Sequence, residues 1–80
     1  MQRITTFHTT THGINRVFER GLSLEAIKDV VNYPDKKQQQ GRGKHNGYVN
    51  KFEKTVDSKT LIVIAEIRKS EAWLISGWFK

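Results

Sequence analysis

The sequence predicts one α+β domain, residues 1–80, in which two N-terminal helices pack on a three- to four-stranded antiparallel sheet. Apolar residues recur at helical spacing in the segment before Pro34. Residues 48–79 instead form segments rich in β-branched and aromatic side chains, separated by short polar turns. Eighty residues suffice for one domain with a modest core and leave no room for a second.

The first predicted helix begins near His12, with the hydroxyl of Thr10 or Thr11 as its cap. His12, Arg16 and Arg20 are four residues apart, so they form one cationic stripe along the helix. The apolar residues on the opposite side are Ile14, Val17 and Phe18. Such a stripe is typical either of a solvated helix face or of an anion-binding surface.

The second predicted helix follows a glycine and ends before a proline. Gly21 can adopt the positive φ that ends the first helix, and Ser23 can cap the next one. Pro34 disfavours helical geometry in the residue before it, so the helix ends near residues 32–33. Its predicted buried side comprises Leu24, Ile27, Val30 and Val31.

Two segments have a weak strand pattern. Residues 1–11 alternate in character and form either a short edge strand or a lead-in. Residues 35–47 contain three glycines and several cations, with a first strand near residues 37–41. A solvated surface loop explains this second segment equally well.

Three later segments predict strands more firmly. Residues 48–56 form the first of them, with a bulge near Asn50 because the apolar positions fail strict alternation. Residues 60–67 are apolar on both faces and therefore form a central strand. Residues 72–79, rich in Trp, Ile and Phe, form the last strand.

The charge distribution favours an anionic partner. The chain has a net charge of +6, and residues 34–60 contribute seven cations and three anions to it. The sequence has no cysteine, which suits a reducing cytosol. Its longest apolar run, residues 61–65, is too short to cross a membrane, so we expect a cytoplasmic protein with no membrane partner.

Few chemistries are favoured by the residues themselves. His8 and His12 have the spacing of a zinc pair on one helix face, but no third ligand is placed with them, so we expect no metal and no cofactor. No serine lies in a G-x-S-x-G elbow. Metal-free RNA cleavage needs only a base, an acid and cations near the phosphate, because the ribose 2′-OH is the nucleophile.

The stretch Thr10–Pro34 resembles a known family. A Thr-His pair is followed by an arginine four residues later, then by Arg-Gly, an aliphatic residue and a serine that opens a helix ending at proline. This order is similar to small bacterial RelE-like domains, including families of unknown function and the C-terminal tRNase domains of contact-dependent inhibition toxins. These belong to the barnase–EndoU–colicin–RelE superfamily, whose fold is two helices followed by a small antiparallel sheet.

The resemblance implies a metal-independent RNA endonuclease of bacterial toxin type that cleaves tRNA or another RNA by 2′-OH attack. His12 and Arg16 match the family's histidine and arginine, and Ser76 matches a polar residue of its last strand. We add Lys51, at mid-strand, as a phosphate cation. The hypothesis requires these catalytic residues to share one cleft. The remaining residues assigned to substrate binding are Arg20, Arg42, Lys44, His45 and Tyr48, with His45 or Tyr48 as a candidate acid.

A toxin of this kind also implies an acidic immunity protein or antitoxin that covers the basic cleft. The chain would then act in the cytoplasm of its own cell or of a target cell, in the latter case as the tip of a larger secreted toxin. Two other functions remain open: a non-catalytic nucleic-acid-binding or toxin–antitoxin interaction module, and an adaptor whose charge is incidental. Binding that weakens steeply with salt and forms no product would favour the module over the enzyme.

Overall fold

The computed structural model describes residues 3–9 and 21–80, which form a five-stranded sheet and one helix. The elements in chain order are β1 (Thr6–His8), α1 (Leu24–Asn32), β2 (Lys36–Arg42), β3 (Tyr48–Val56), β4 (Lys59–Arg68) and β5 (Glu71–Phe79). The strands lie in the order β1-β5-β4-β3-β2. The last strand of the chain therefore lies inside the sheet, between β4 and the first strand.

The predicted fold class is wrong. Within the described ranges the chain is mostly sheet and has one short helix, instead of two helices on a small antiparallel sheet. The sheet is also mixed, because β1 pairs with β5 in parallel while β2 to β5 are antiparallel. The first predicted helix, near residues 12–20, lies outside the described residues.

The last four strands form a meander whose turns follow from local sequence. Tyr48–Val56 was predicted with the bounds that β3 has, and β4 and β5 each extend slightly beyond their predicted limits. Asp57 and Ser58 make the β3–β4 turn with φ of 50° and 67°, the positive values that a two-residue hairpin requires. A bulge was predicted near Asn50, in β3. The structure instead has it in the neighbouring strand β2, between Gln39 and Gly41, and Gln39 is the residue that pairs with Asn50.

The helix α1 has the predicted cap and most of the predicted buried side. The Ala26 N–H donates to the Ser23 hydroxyl at 3.1 Å, and Ile27, Val30 and Val31 are buried. Leu24, also predicted to be buried, is 43% exposed because it starts the helix beyond the edge of the core. At the other end, the Asn32 side chain accepts from the Ile4 N–H at 2.8 Å and holds the segment leading into β1.

The two faces of the sheet carry different residues, since successive side chains of a strand point to opposite sides. The face that packs on α1, called the helix face, holds the core residues Phe52, Leu61, Val63, Ala65, Ala72 and Leu74. The opposite face, called the groove face, holds Trp73, Glu66 and Val49. Among the described residues, no helix is long and apolar enough to span a membrane.

Candidate functional site

The candidate site follows one row of paired residues across the groove face. His8 on β1 pairs with Trp73 on β5, Trp73 pairs with Glu66 on β4, and Glu66 pairs with Val49 on β3. Directly paired residues share a face, so this register brings together side chains from four strands. The row forms the floor of an open groove.

Two imidazoles and an indole form a ring stack above this floor. The ring of Trp73 lies 4.8 Å from that of His8, with an interplanar angle of 16°. His45, from the β2–β3 loop, also stacks on the indole, at 4.4 Å and 8°. These separations and near-parallel planes are typical of aromatic stacking. The same indole therefore holds both histidines in a single groove.

The buried carboxylate of Glu66 positions the loop that carries His45. Its Oε2 accepts hydrogen bonds from the backbone N–H of His45 at 2.7 Å and of Gly47 at 2.9 Å. Glu66 is only 2% exposed, so these bonds compensate for the loss of water around the charge. The carboxylate thus acts on the site through the loop backbone.

Glycine at position 43 permits the carboxylate to lie this close. A Cβ added there would lie 2.0 Å from both Cδ and Oε1 of Glu66, which is far inside van der Waals contact. Gly43 also donates its N–H to the Gly47 carbonyl at 3.0 Å and so closes the loop. Gly43 and Gly47 therefore allow a compact loop around one buried acid.

A second carboxylate orients the other histidine. Nε2 of His8 lies 3.2 Å from Oε1 of Glu71, and both side chains are about 40% exposed. A carboxylate only accepts, so Nε2 carries the proton and Nδ1 of the neutral ring keeps a free lone pair. The arrangement of a histidine held by an acid is the one that general bases commonly use.

The groove combines these groups with cations and apolar walls. Its volume is about 700 Å³, and it is open to solvent. Arg42 and Lys44 line it together with the ring stack. Val49 and the exposed Ile75 contribute apolar surface. Such a groove can bind a phosphate through Lys44, bind a nucleobase through its rings, and move protons through its imidazoles.

The structure brings together three of the residues predicted from sequence. Arg42, Lys44 and His45 all line the groove. Tyr48 pairs with Ile67 on the helix face, where the guanidinium of Arg42 lies 5.4 Å from its ring centroid. Tyr48 therefore holds the guanidinium of Arg42 on the side of the sheet opposite the groove.

Lys51 and Ser76 share the groove face but lie outside the groove. Each pairs with Ile64, so they are two strand spacings apart, about 10 Å, with an isoleucine between them. Lys51 Nζ is directed to Glu53 Oε1 at 3.5 Å. The remaining predicted site residues, His12, Arg16 and Arg20, lie outside the described residues.

Sequence reasoning missed four residues of the site: His8, Glu66, Glu71 and Trp73. His8 and Glu71 are 63 residues apart, and only the parallel pairing of β1 with β5 brings them together. One local signal was present, because Glu66 is a charged residue in the otherwise apolar run of β4. A buried acid in a central strand usually has a specific hydrogen-bonding role.

Within residues 3–9 and 21–80, no group of three or more His, Asp or Glu side chains is arranged to hold a metal ion. Comparisons of the chain with models of known protein families, with curated proteins and with solved structures find no match. The groove is therefore the feature of this protein that indicates a function.

Proposed function

We propose that the protein is a metal-independent ribonuclease that binds RNA in the groove and cleaves it by attack of a ribose 2′-OH. One observation carries the proposal: His8, held by Glu71, and His45 both stack on Trp73 in a groove that Lys44 also lines. This set supplies a base, an acid and a phosphate ligand. The net charge of +6 favours a polyanionic substrate.

His8 is the general base of the proposed reaction. Glu71 accepts its Nε2–H, so Nδ1 is free to take the proton of the 2′-OH. The 2′-oxygen then forms a bond to phosphorus, and the bond from phosphorus to the 5′-oxygen breaks. A protonated His45 donates to that leaving oxygen. The products are a 2′,3′-cyclic phosphate and a 5′-hydroxyl end, so protons and bonds balance.

Lys44 stabilises the negative charge on the phosphate in this scheme. It lines the groove beside His45, on the loop that Glu66 holds in place. Such a preorganised cation commonly contributes a large share of the rate enhancement. A nucleobase stacks on an exposed imidazole or against Ile75, which requires an unpaired base and favours a single-stranded region, such as a tRNA loop.

The test uses three histidine variants on one RNA. We expect His8→Ala and His45→Ala to lower the cleavage rate by about 10²–10⁴-fold each, the contribution of a positioned acid or base. His12→Ala tests the catalytic role that the sequence resemblance implies for that residue. Circular dichroism shows whether each variant is folded, and a chelator in the buffer tests the independence from metal.

A matched substrate separates binding from chemistry. RNA with 2′-deoxyribose at the scissile position should bind as tightly as normal RNA and remain uncut, because the nucleophile is missing. Cleavage of this analogue, or equal cleavage by wild type and both groove variants, would refute the proposed mechanism.

The second candidate function is non-catalytic binding of single-stranded RNA. The ring stack favours it, since aromatic groups beside cations bind bases without any chemistry. This function predicts salt-dependent binding with no product even after long incubation, and Trp73→Ala would weaken the binding. An acidic inhibitor protein that covers Lys44 and the groove is the partner that we propose for either function.

A further inference from the structure

A second cationic surface lies on the groove face beside the site. It is a shallow concavity of about 340 Å³ lined by Lys36, Lys37, Gln38, Lys51 and Glu53, here called the lysine patch. Gln38 pairs with Lys51 and Lys36 pairs with Glu53, so these four side chains share one face. The mechanism above uses none of them.

The lysine patch continues the groove along β3. Val49 lines the groove, and Lys51 and Glu53 are the next residues of β3 on the same face. Alternate residues of a strand are about 7 Å apart. This step is comparable to the separation of successive phosphates in an extended nucleic acid, so one strand leaving the groove would reach Lys51 and then Lys36.

The charges of the patch suit such a strand. On this face Lys36 and Lys51 stand against one glutamate, and β2 is exposed along its whole length. The third lysine, Lys37, has its ammonium 5.8 Å from the Phe52 ring centroid on the helix face and does not contact the strand. The Lys51–Glu53 pair is 3.5 Å apart, longer than a good charged hydrogen bond, and both side chains retain solvent access. A partly exposed pair at this distance contributes little stability, so a phosphate can replace Glu53 as the partner of Lys51.

We infer that the lysine patch is a phosphate-binding subsite that holds the RNA strand beyond the nucleotide in the groove, with successive phosphates on Lys51 and Lys36. The inference rests on the proposed function and gives it a substrate class: single-stranded RNA that extends from the cleaved bond along β3 and β2. The subsite makes affinity depend on RNA length. It takes no part in the chemistry.

The experiment compares uncleavable 2′-deoxy-substituted RNA of three and six nucleotides by fluorescence anisotropy. For single strands, each phosphate contact contributes about 0.7 to the slope of log affinity against log salt concentration. At 0.1 M salt, one such contact therefore raises the affinity about fivefold relative to about 1 M salt. The double variant Lys36→Ala/Lys51→Ala should therefore bind the longer RNA about 25-fold more weakly and lower its slope by about 1.4. Its affinity for the shorter RNA should stay within twofold.

Two further variants make the result specific. Lys28→Ala/Lys59→Ala removes the same charge from α1 and from the far end of β4, and should leave the length dependence unchanged. Glu53→Gln frees Lys51 and should tighten binding of the longer RNA severalfold. Equal weakening by both double variants, or no preference of wild type for the longer RNA, would overturn the subsite while leaving the proposed function standing. Absence of binding to either RNA would overturn both.

Discussion

The substitution of Glu66 tests whether a buried acid holds the site together. Its carboxylate is 2% exposed and accepts from the backbone N–H groups of His45 and Gly47. Glu66→Ala leaves both donors without this acceptor, in a region that water reaches poorly. Glu66→Gln keeps an oxygen that can accept both bonds but removes the charge. The two variants therefore separate hydrogen bonding from charge.

The expected loss of stability follows from the two bonds. A hydrogen bond to a charged group contributes about 1.5–3 kcal/mol, so Glu66→Ala should lower the free energy of unfolding by about 3–6 kcal/mol. Neutral hydrogen bonds contribute about half as much as charged ones. Glu66→Gln keeps two neutral bonds, so it should lower the free energy of unfolding by about 2 kcal/mol. A domain of this length has a total stability of about 4–12 kcal/mol, so Glu66→Ala approaches global unfolding whereas Glu66→Gln remains folded.

Urea unfolding followed by tryptophan fluorescence measures both values, since Trp73 lies beside the loop. Glu53→Gln is the control on the neighbouring strand, where the partner is a lysine 3.5 Å away, and it should cost less than about 1 kcal/mol. If both Glu66 variants unfolded within about 0.5 kcal/mol of wild type, the carboxylate would not be organising the loop.

Three other predictions concern the same framework. Gly43→Ala should lower the free energy of unfolding by about 1–3 kcal/mol, because the added methyl group clashes with Glu66. The loss should be much smaller when Glu66 is also alanine, and a double-mutant cycle measures this coupling. Asn32→Ala removes the side-chain oxygen that accepts from the Ile4 N–H, so it should lower the free energy of unfolding by about 1–2 kcal/mol. It should also slow RNA cleavage, because β1 and its His8 are held less firmly; an unchanged rate would contradict this role. Ser58→Gly should raise the free energy of unfolding, measured in urea, by about 0.5 kcal/mol, because glycine adopts the φ of 67° at this position without strain. A lower urea midpoint would show that the greater conformational entropy of glycine in the unfolded chain outweighs the relief of strain.

Local pattern identified the later strands because their signals are short-range. The apolar run of β4 and the Asp57-Ser58 turn are determined by neighbouring residues, and both lie where the sequence indicates. The strand β2 was predicted only in part, because all seven of its residues are exposed and its sequence shows no alternation of apolar and polar side chains. The fold class was wrong because no local pattern shows whether residues 6–8 pair with the sheet or in which direction.

The candidate site was predicted in part for the same reason. Arg42, Lys44 and His45 are adjacent in sequence, so a basic segment was enough to single them out. The contacts of His8 with Trp73 and Glu71 depend on strand order, which periodicity does not encode. The bulge at Ile75 likewise shifts the facing of the last strand and could not be predicted from its composition.

The parallel pairing of β1 with β5 sets the time at which the groove can exist during synthesis. His8 is made early, whereas Glu71 and Trp73 leave the ribosome among the last described residues. The loop with His45 can close on Glu66 before then, yet its imidazole has no indole to stack on. Under the proposed function, a nascent chain therefore cleaves no RNA until β5 has emerged and the groove has formed.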